Sequence, residues 1–310
     1  MCDTLLNQQK SLWPELSRGY EALGSVRVRE IRCDGYSVYV QYNPRRITST
    51  AAEVDPRSIG ERRCFLCLDH LPAVQKGIQY RNEFLVLCNP VPIFERHLTI
   101  THRDHTPQVL EGNAQALLHL ARDLSPEFTV FYNGPKCGAS APDHLHFQAC
   151  PAGAIPVERD AADPAKRDPE HEADTVSMYT LRNIGRQVMV VEGADFSHLL
   201  KFFEKLLVAA RKLAHSEVEP MVNVLSLYTD GLWRLIVFLR KKHRPEMYFK
   251  DGNERVMISP AAVDVGGLII TPIERDFERV NASMVQRMYD EVMLDEDSVK
   301  RIVALVRNGN

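Results

Sequence analysis

The run CGASAPDHLHFQAC, Cys137 to Cys150, sets polar side chains at alternate positions: His144, His146 and Gln148, with Leu145 and Phe147 between them. Successive side chains of a strand point to opposite faces. The spacing therefore predicts a half-buried strand with two imidazoles and an amide on one side and bulky hydrophobes on the other. A solvated polar face would explain one such His-x-His by itself. The segment in front of it, NGPKCGAS (residues 133–140), carries two glycines, a proline and small residues, and Lys136 adds a positive charge. Alone it reads as a plain turn between strands, but backbone N–H groups in such turns can approach an anion closely. Joined to the strand, it suggests an anion-binding loop running into a reactive face.

The totals narrow the classes of function. At 310 residues the chain can form two ordinary domains or one large one. Hydrophobic and charged fractions of 45% and 25% are those of a folded chain, and a formal net charge of -3 argues against a nucleic acid polymer as partner. No apolar run approaches the roughly 20 residues that span a bilayer, so no membrane partner is expected. The opening MCDTLLNQQKSLWPEL does not read as a signal peptide. Seven scattered cysteines, an odd number with one close pair, suit a reducing compartment, so the expected location is cytoplasmic.

Along the chain, residues 11–23 read as a helix, and GYSVYVQYNPRRITST (35–50) as a strand running into an Asn-Pro turn. Residues 50–63 read as a loop. NEFLVLCNPVPIFERHLTITHRDH (82–105) reads as two strands with an irregular connection, followed by a helix that Pro107 could open, with Leu110, Ala114, Leu117, Ala121 and Leu124 at helical spacing. FTVFY (128–132) is a further strand. Four prolines and many charges mark residues 151–173 as a loop or linker. A second block follows: strand-like RQVMVVEG, a helix over 196–215, strands in MVNVLSLYT, WRLIVFLRK and GGLIITPI, and a C-terminal helix. Its order loosely echoes the first block without a residue-level repeat. The boundary falls between about 155 and 180, which divides the chain into 1–165 and 166–310.

NGPKCGASAPDHLHFQ resembles the active-site signature of the histidine-triad superfamily. It is more similar to the branch of galactose-1-phosphate uridylyltransferases and dinucleotide phosphorylases, whose signature runs Asn, a Gly-rich loop, Ser and His-x-His-x-Gln. HLHFQA and the later ISPAAVDVGGLIITPIERDFE are most similar to the GDP-hexose phosphorylases. The resemblance covers residues 36–150. Asp143 makes the loop one residue longer than in the uridylyltransferases. The fold it implies is α+β, two histidine-triad-like halves that are each an antiparallel sheet with packed helices, the second a degenerate copy.

By that resemblance His146 is the nucleophile, forming a covalent nucleotidyl-histidine, and Gln148 a hydrogen-bond donor to a phosphoryl oxygen. An amide is not a proton donor to a leaving group, and sugar phosphates or phosphate leave without one, so Gln148 favours transferase or phosphorylase over hydrolase. Asn133, Lys136 and Ser140 are candidates for the phosphate. Arg45 and Arg46 resemble a nucleotide-contacting segment, and Asn82 and Phe84 a base or ribose pocket, with Phe84 equally a core residue. The implied partners are a nucleotide or nucleotide-sugar and phosphate or sugar phosphate, and related enzymes are often homodimers. The alternatives are a nucleotide hydrolase and a nucleotide-binding protein without turnover.

Cys64 and Cys67 form a Cys-x-x-Cys, which by itself is a metal half-site, a redox motif or chance. The resemblance supplies His105 and His144 as the other two ligands of a structural zinc site; His102 rivals His105, and iron rivals zinc. His97 reads equally as a pocket or a core residue, and His70 and His119 carry no role. In RKKHRPEMYF, Arg240, His243 and Arg244 are candidates for a second phosphate, and Lys241 and Lys242 read as solvated.

Overall fold

Short runs rich in Val, Ile, Leu, Tyr and Phe become strands, and the longer runs with helical spacing become their cover. The computed structural model describes residues 1–52, 56–172, 175–216 and 218–308. Two early strands, β1 (Arg27–Arg32) and β2 (Ser37–Tyr42), pair antiparallel. Ten more form one sheet: β3 (Gly77–Tyr80), β4 (Phe84–Cys88), β5 (Leu98–His102), β6 (Phe128–Asn133), β7 (His146–Pro151), β8 (Arg167–Glu172), β9 (Val176–Leu181), β10 (Met189–Gly193), β11 (Val222–Thr229) and β12 (Leu232–Leu239). A last strand, β13 (Leu268–Thr271), returns parallel to β2.

The order in the large sheet is β3-β4-β5-β7-β6-β11-β12-β10-β9-β8. Read inward from each edge, both halves show one topology. Three strands come first in chain order, then the fifth, then the fourth, with a helix between the third and fourth. Those helices are Ala114–Asp123 and Phe196–Leu213. The fourth strands, β6 and β11, pair antiparallel at the centre, with Asn133 opposite Asn223. The chain is thus α+β with two halves of like topology fused edge to edge.

The sheet divides two cores. On one face Phe84, Val86, Leu98, Ile100, Leu145 and Phe147 pack with the two helices just named and with Glu296–Asn308. Burying a ring such as Phe147, which is fully enclosed, contributes about 1.5–3 kcal/mol. On the other face Phe131, Leu225, Ile236 and Phe238 pack against β2, β13 and the Ala282–Val292 helix. The candidate site lies on this second face. No helix among the described residues is long and apolar enough to cross a membrane.

Four local readings change. The N-terminal helix is two, Cys2–Leu12 and Pro14–Leu23, because Pro14 cannot continue the first and instead opens the second. The helix after Pro107 begins only at Ala114; Gly112 takes a left-handed φ of 79°, and Gln108 is committed elsewhere. Of residues 50–63, 53–55 lie outside those described, and Pro56–Glu61 is a short helix. Residues 151–173 are not a linker up to 172, and 173 lies outside the described residues. They form the Val157–Ala162 helix and the edge strand β8, whose register shifts between Pro169 and His171. Proline is tolerated on such an edge, where no neighbour needs its missing N–H.

Candidate active site

The ladder between β6 and β7 runs from Phe128 opposite Pro151 to Phe131 opposite Gln148 and then stops. Beyond it the two strands part, and the side chain of Gln108 fills the gap. Its Oε1 accepts from His146 N–H at 2.7 Å, and its Nε2 donates to the carbonyls of His146 (3.0 Å) and Asn133 (2.8 Å). Gln108 is wholly buried and is held in turn by Tyr132, whose hydroxyl lies 3.1 Å from the Gln108 carbonyl and 2.7 Å from Glu219 Oε2. Splaying the strands at this point leaves His146 and Asn133 facing a cavity of about 820 Å³.

His146 is 3% exposed, and its Nδ1–H donates to the His144 carbonyl at 2.8 Å. The free ring nitrogen is therefore Nε2. Burial pushes its pKa down to about 4, against the opposing hydrogen bond to the His144 carbonyl, so the ring is neutral and Nε2 carries a lone pair.

Two amides flank it, each turned by its oxygen. Ile93 N–H donates to His97 Nδ1 at 3.1 Å, so the His97 proton sits on Nε2 and donates to Gln148 Oε1 at 2.9 Å. The Gln148 NH₂ is left to face the cavity. Asn133 Oδ1 accepts from Asn223 Nδ2 and from Ala262 N–H, both at 2.8 Å, which likewise releases its NH₂. Asn223 is kept in place by Arg240, whose Nη1 donates to Asn223 Oδ1 at 2.9 Å.

Arg45, Arg46 and Ser140 also line the cavity. Arg46 donates to the Val91 carbonyl at 3.0 Å, and burial lowers its pKa to about 10, still a cation. Other sequence expectations are corrected by position. Lys136 is exposed and outside the cavity. Asn82 is exposed in the β3–β4 turn at φ 60° and binds Gln79. Phe84 packs on Phe147 in the core on the opposite face. Arg240, 4% exposed, has its guanidinium taken up by Asn223 and four carbonyls, leaving nothing for a phosphate. Gly138 is explained by packing: a Cβ there would lie 2.6 Å from that of Ala261, so the loop is small to admit the second half. Sequence reading left Gln108 and Asn223 unnamed, because an isolated amide has no spacing signal.

Beside the loop, one ligand atom each from Cys64, Cys67, His105 and His144 gathers within 4.8 Å of the others. Cys64 Sγ lies 3.3 Å from His144 Nδ1, and Cys67 Sγ lies 3.1 Å from His105 Nδ1. His144 Nε2–H donates to the His102 carbonyl at 2.8 Å, which turns Nδ1 toward the thiols. Two sulfurs and two imidazole nitrogens at these separations fit one tetrahedral ion. His102 is not in the group; its Nδ1 accepts from Asp104 N–H. The cluster ties residues 64–67 to His144, two residues before His146 and the start of β7.

A family model described as "Domain of unknown function (DUF4922)" matches residues 5–151. No curated protein matches by sequence. Yeast Ap4A phosphorylase Apa2 is similar in structure at 15% identity and a TM-score of 0.57, over 91% of this chain and 94% of that one. The same enzyme in complex with Ap4A gives 15% and 0.56, over 91% and 97%. A uridylyltransferase gives 13% and 0.44, over 90% and 99%. The α+β architecture expected from the sequence is the one this chain adopts, and its fold is similar to that of the phosphorylase.

Proposed function

We propose that the chain is a nucleotidyltransferase or phosphorylase that acts on a nucleoside-diphosphate sugar or a dinucleotide through nucleotidyl-His146. The observation that carries this reading is the pairing of a neutral imidazole, its Nδ1 tied to a carbonyl, with two amides clamped by their oxygens around one cavity. The likeness to a phosphorylase solved with Ap4A is consistent with it.

In the first displacement the Nε2 lone pair attacks the α-phosphorus. The bond from phosphorus to the bridging oxygen breaks, and the departing phosphate keeps the electron pair. The His144 carbonyl faces the Nδ1–H of the imidazolium that forms. In the second step an acceptor oxygen attacks, the P–N bond breaks and His146 returns neutral. Gln148 and Asn133 donate to the non-bridging oxygens, with Arg45, Arg46 and Ser140 beside them, the form of stabilisation that phosphoryl chemistry chiefly needs. No residue has to protonate a phosphate leaving group, which is why an amide suffices at 148. Cys64, Cys67, His105 and His144 would hold a structural zinc, which when bound supplies rigidity rather than chemistry. The unit from about residue 166 onward is read as the copy that has lost its own site and completes this one.

The test is a substrate panel of nucleoside-diphosphate sugars and dinucleoside polyphosphates, each with phosphate, with hexose 1-phosphate and with neither. Nucleoside diphosphate or a new sugar nucleotide, formed only when an acceptor is present, supports the reading. Mononucleotide released at a rate indifferent to acceptor points to a hydrolase, and tight binding without product points to a nucleotide-binding protein.

A further inference from the structure

The two imidazoles of the Cys64–Cys67 cluster are oriented by different partners. Each turns Nδ1 to a thiol, so binding a metal there requires the ring proton of each on Nε2. For His144 that proton meets the His102 carbonyl at 2.8 Å. For His105 it faces Asp143, whose Oδ2 lies 3.7 Å from Nε2. Asp143 directly precedes His144 in the chain and is the residue that lengthens the loop.

The other oxygen of Asp143 is engaged from the cavity side. Arg62 Nη2 donates to Oδ1 at 2.9 Å and to the Ser140 carbonyl at 3.3 Å. The guanidinium carbon of Arg62 lies 5.0 Å from the centre of the Phe65 ring, and Phe65 stands between the two cysteines. The contacts close a circuit. It runs from Asp143 through Arg62 and Phe65 to the Cys-x-x-Cys, and through His105 back to Asp143. Arg62, Phe65 and Ser140 line the cavity, so the circuit joins the metal centre to one of its walls.

Charge shows which part Asp143 plays. Two thiolates balance a divalent ion, and the Asp143 carboxylate is already balanced by Arg62. Nor does it belong to the four residues whose ligand atoms gather within 4.8 Å. A paired carboxylate outside the ligand set, with one oxygen toward a ligand's N–H, orients that imidazole and raises its basicity toward the metal.

We infer that Asp143 is a positioning residue of the metal centre, holding His105 through Oδ2 and Arg62 through Oδ1, so that one carboxylate sets both the metal site and the Arg62–Phe65 wall of the cavity. This rests on the part of the proposed function that places zinc at the four ligands, and it is independent of nucleotidyl-His146.

Competition for zinc between the loaded chain and a chromophoric chelator tests it on wild type, Asp143→Asn, Arg62→Gln and the double variant. Asp69→Asn, an exposed carboxylate of the same loop outside the circuit, is the control. The expected result is zinc held about ten- to a hundredfold less tightly by Asp143→Asn and a smaller loss in Arg62→Gln. The double variant should be no worse than Asp143→Asn, since Arg62 acts through that carboxylate, and the control should be unchanged. Cobalt(II) in place of zinc should give the same ligand-field bands in wild type and Asp143→Asn, because Asp143 orients a ligand without being one.

Unchanged affinity in Asp143→Asn, an equal loss in the control or losses that multiply in the double variant overturn the inference. Altered cobalt bands do so too, by making Asp143 itself a ligand. Should Asp143→Asn fail to fold, Arg62→Gln carries the test: a several-fold loss supports the inference and unchanged affinity overturns it. A wild type that takes up no zinc defeats the metal reading and the inference together. A wild type that binds zinc, with Asp143→Asn equally tight, defeats the inference alone.

Discussion

His97 Nε2 lies 2.9 Å from Gln148 Oε1, and this contact decides which end of the amide meets the cavity. Since Ile93 N–H occupies His97 Nδ1, the tautomer is fixed, and burial holds the His97 pKa down to about 3. The ring stays a neutral donor, and Gln148 presents its NH₂.

Replacing His97 by Phe keeps an aromatic body but removes that donor, so the amide can turn. The expected result is a kcat lower by about tenfold or more with little change in KM. Gln148→Glu places a carboxylate where a donor faced the phosphate, and should lower kcat about a hundredfold. Steady-state kinetics on the best substrate of the panel reads both. A normal kcat for Gln148→Glu would remove the amide from the mechanism.

Asn223→Asp tests the other clamp. The carboxylate still accepts from Arg240, but it cannot donate to Asn133 Oδ1 or to the Cys137 carbonyl, as the amide does at 2.8 and 2.7 Å. The variant should fold and lose about tenfold in kcat, and the loss should be absent when Asn133 is already Ala. Losses that multiply in the double variant would show that Asn223 acts by some other route.

Metal content provides a readout apart from activity. The purified chain should carry about one zinc, identified by elemental analysis, and Cys67→Ala or His105→Ala should lower both that content and the melting temperature. A protein that carries no metal and melts unchanged when Cys67 is replaced would rule out the clamp.

Glu219 gives stability a pH dependence. Burial raises its pKa from 4.5 to about 7 in the folded chain. A carboxyl that holds its proton more tightly when folded contributes stability that is complete below 4.5 and is lost as pH rises through about 7. Asp264, raised to about 6 by burial, acts in the same direction. Denaturant titrations between these limits should show stability falling with pH, and Glu219→Gln should flatten part of that slope. A variant with the wild-type slope would contradict the assignment.

The parts of this site that lie close in sequence were legible from it. Alternation over 144–148 marks a strand with His146 and Gln148 on one face, although the strand begins only at His146 and leaves His144 to the Cys-x-x-Cys cluster. What fails is long-range. Asn223 meets Asn133 across 90 positions and His97 meets Gln148 across 51, and neither amide nor ring differs in sequence from an ordinary buried polar residue. Asn82 was placed at the pocket by likeness of a short string and is exposed instead, while Phe84, left open between pocket and core, is turned by the β3–β4 hairpin to the helix-covered core. Arg240 stood out by its charged neighbours, yet its role depends on five acceptors that only the tertiary structure assembles.

The central claim is a covalent bond from phosphorus to one nitrogen of His146. Intact-mass analysis of protein quenched in alkali after mixing with substrate, followed by peptide mapping, reads it directly. The expected finding is an added nucleotidyl group on His146, labile to acid, removed by the acceptor and absent from His146→Ala. A chain that turns substrate over with no adduct, or whose His146→Ala variant turns over at the wild-type rate, would contradict it.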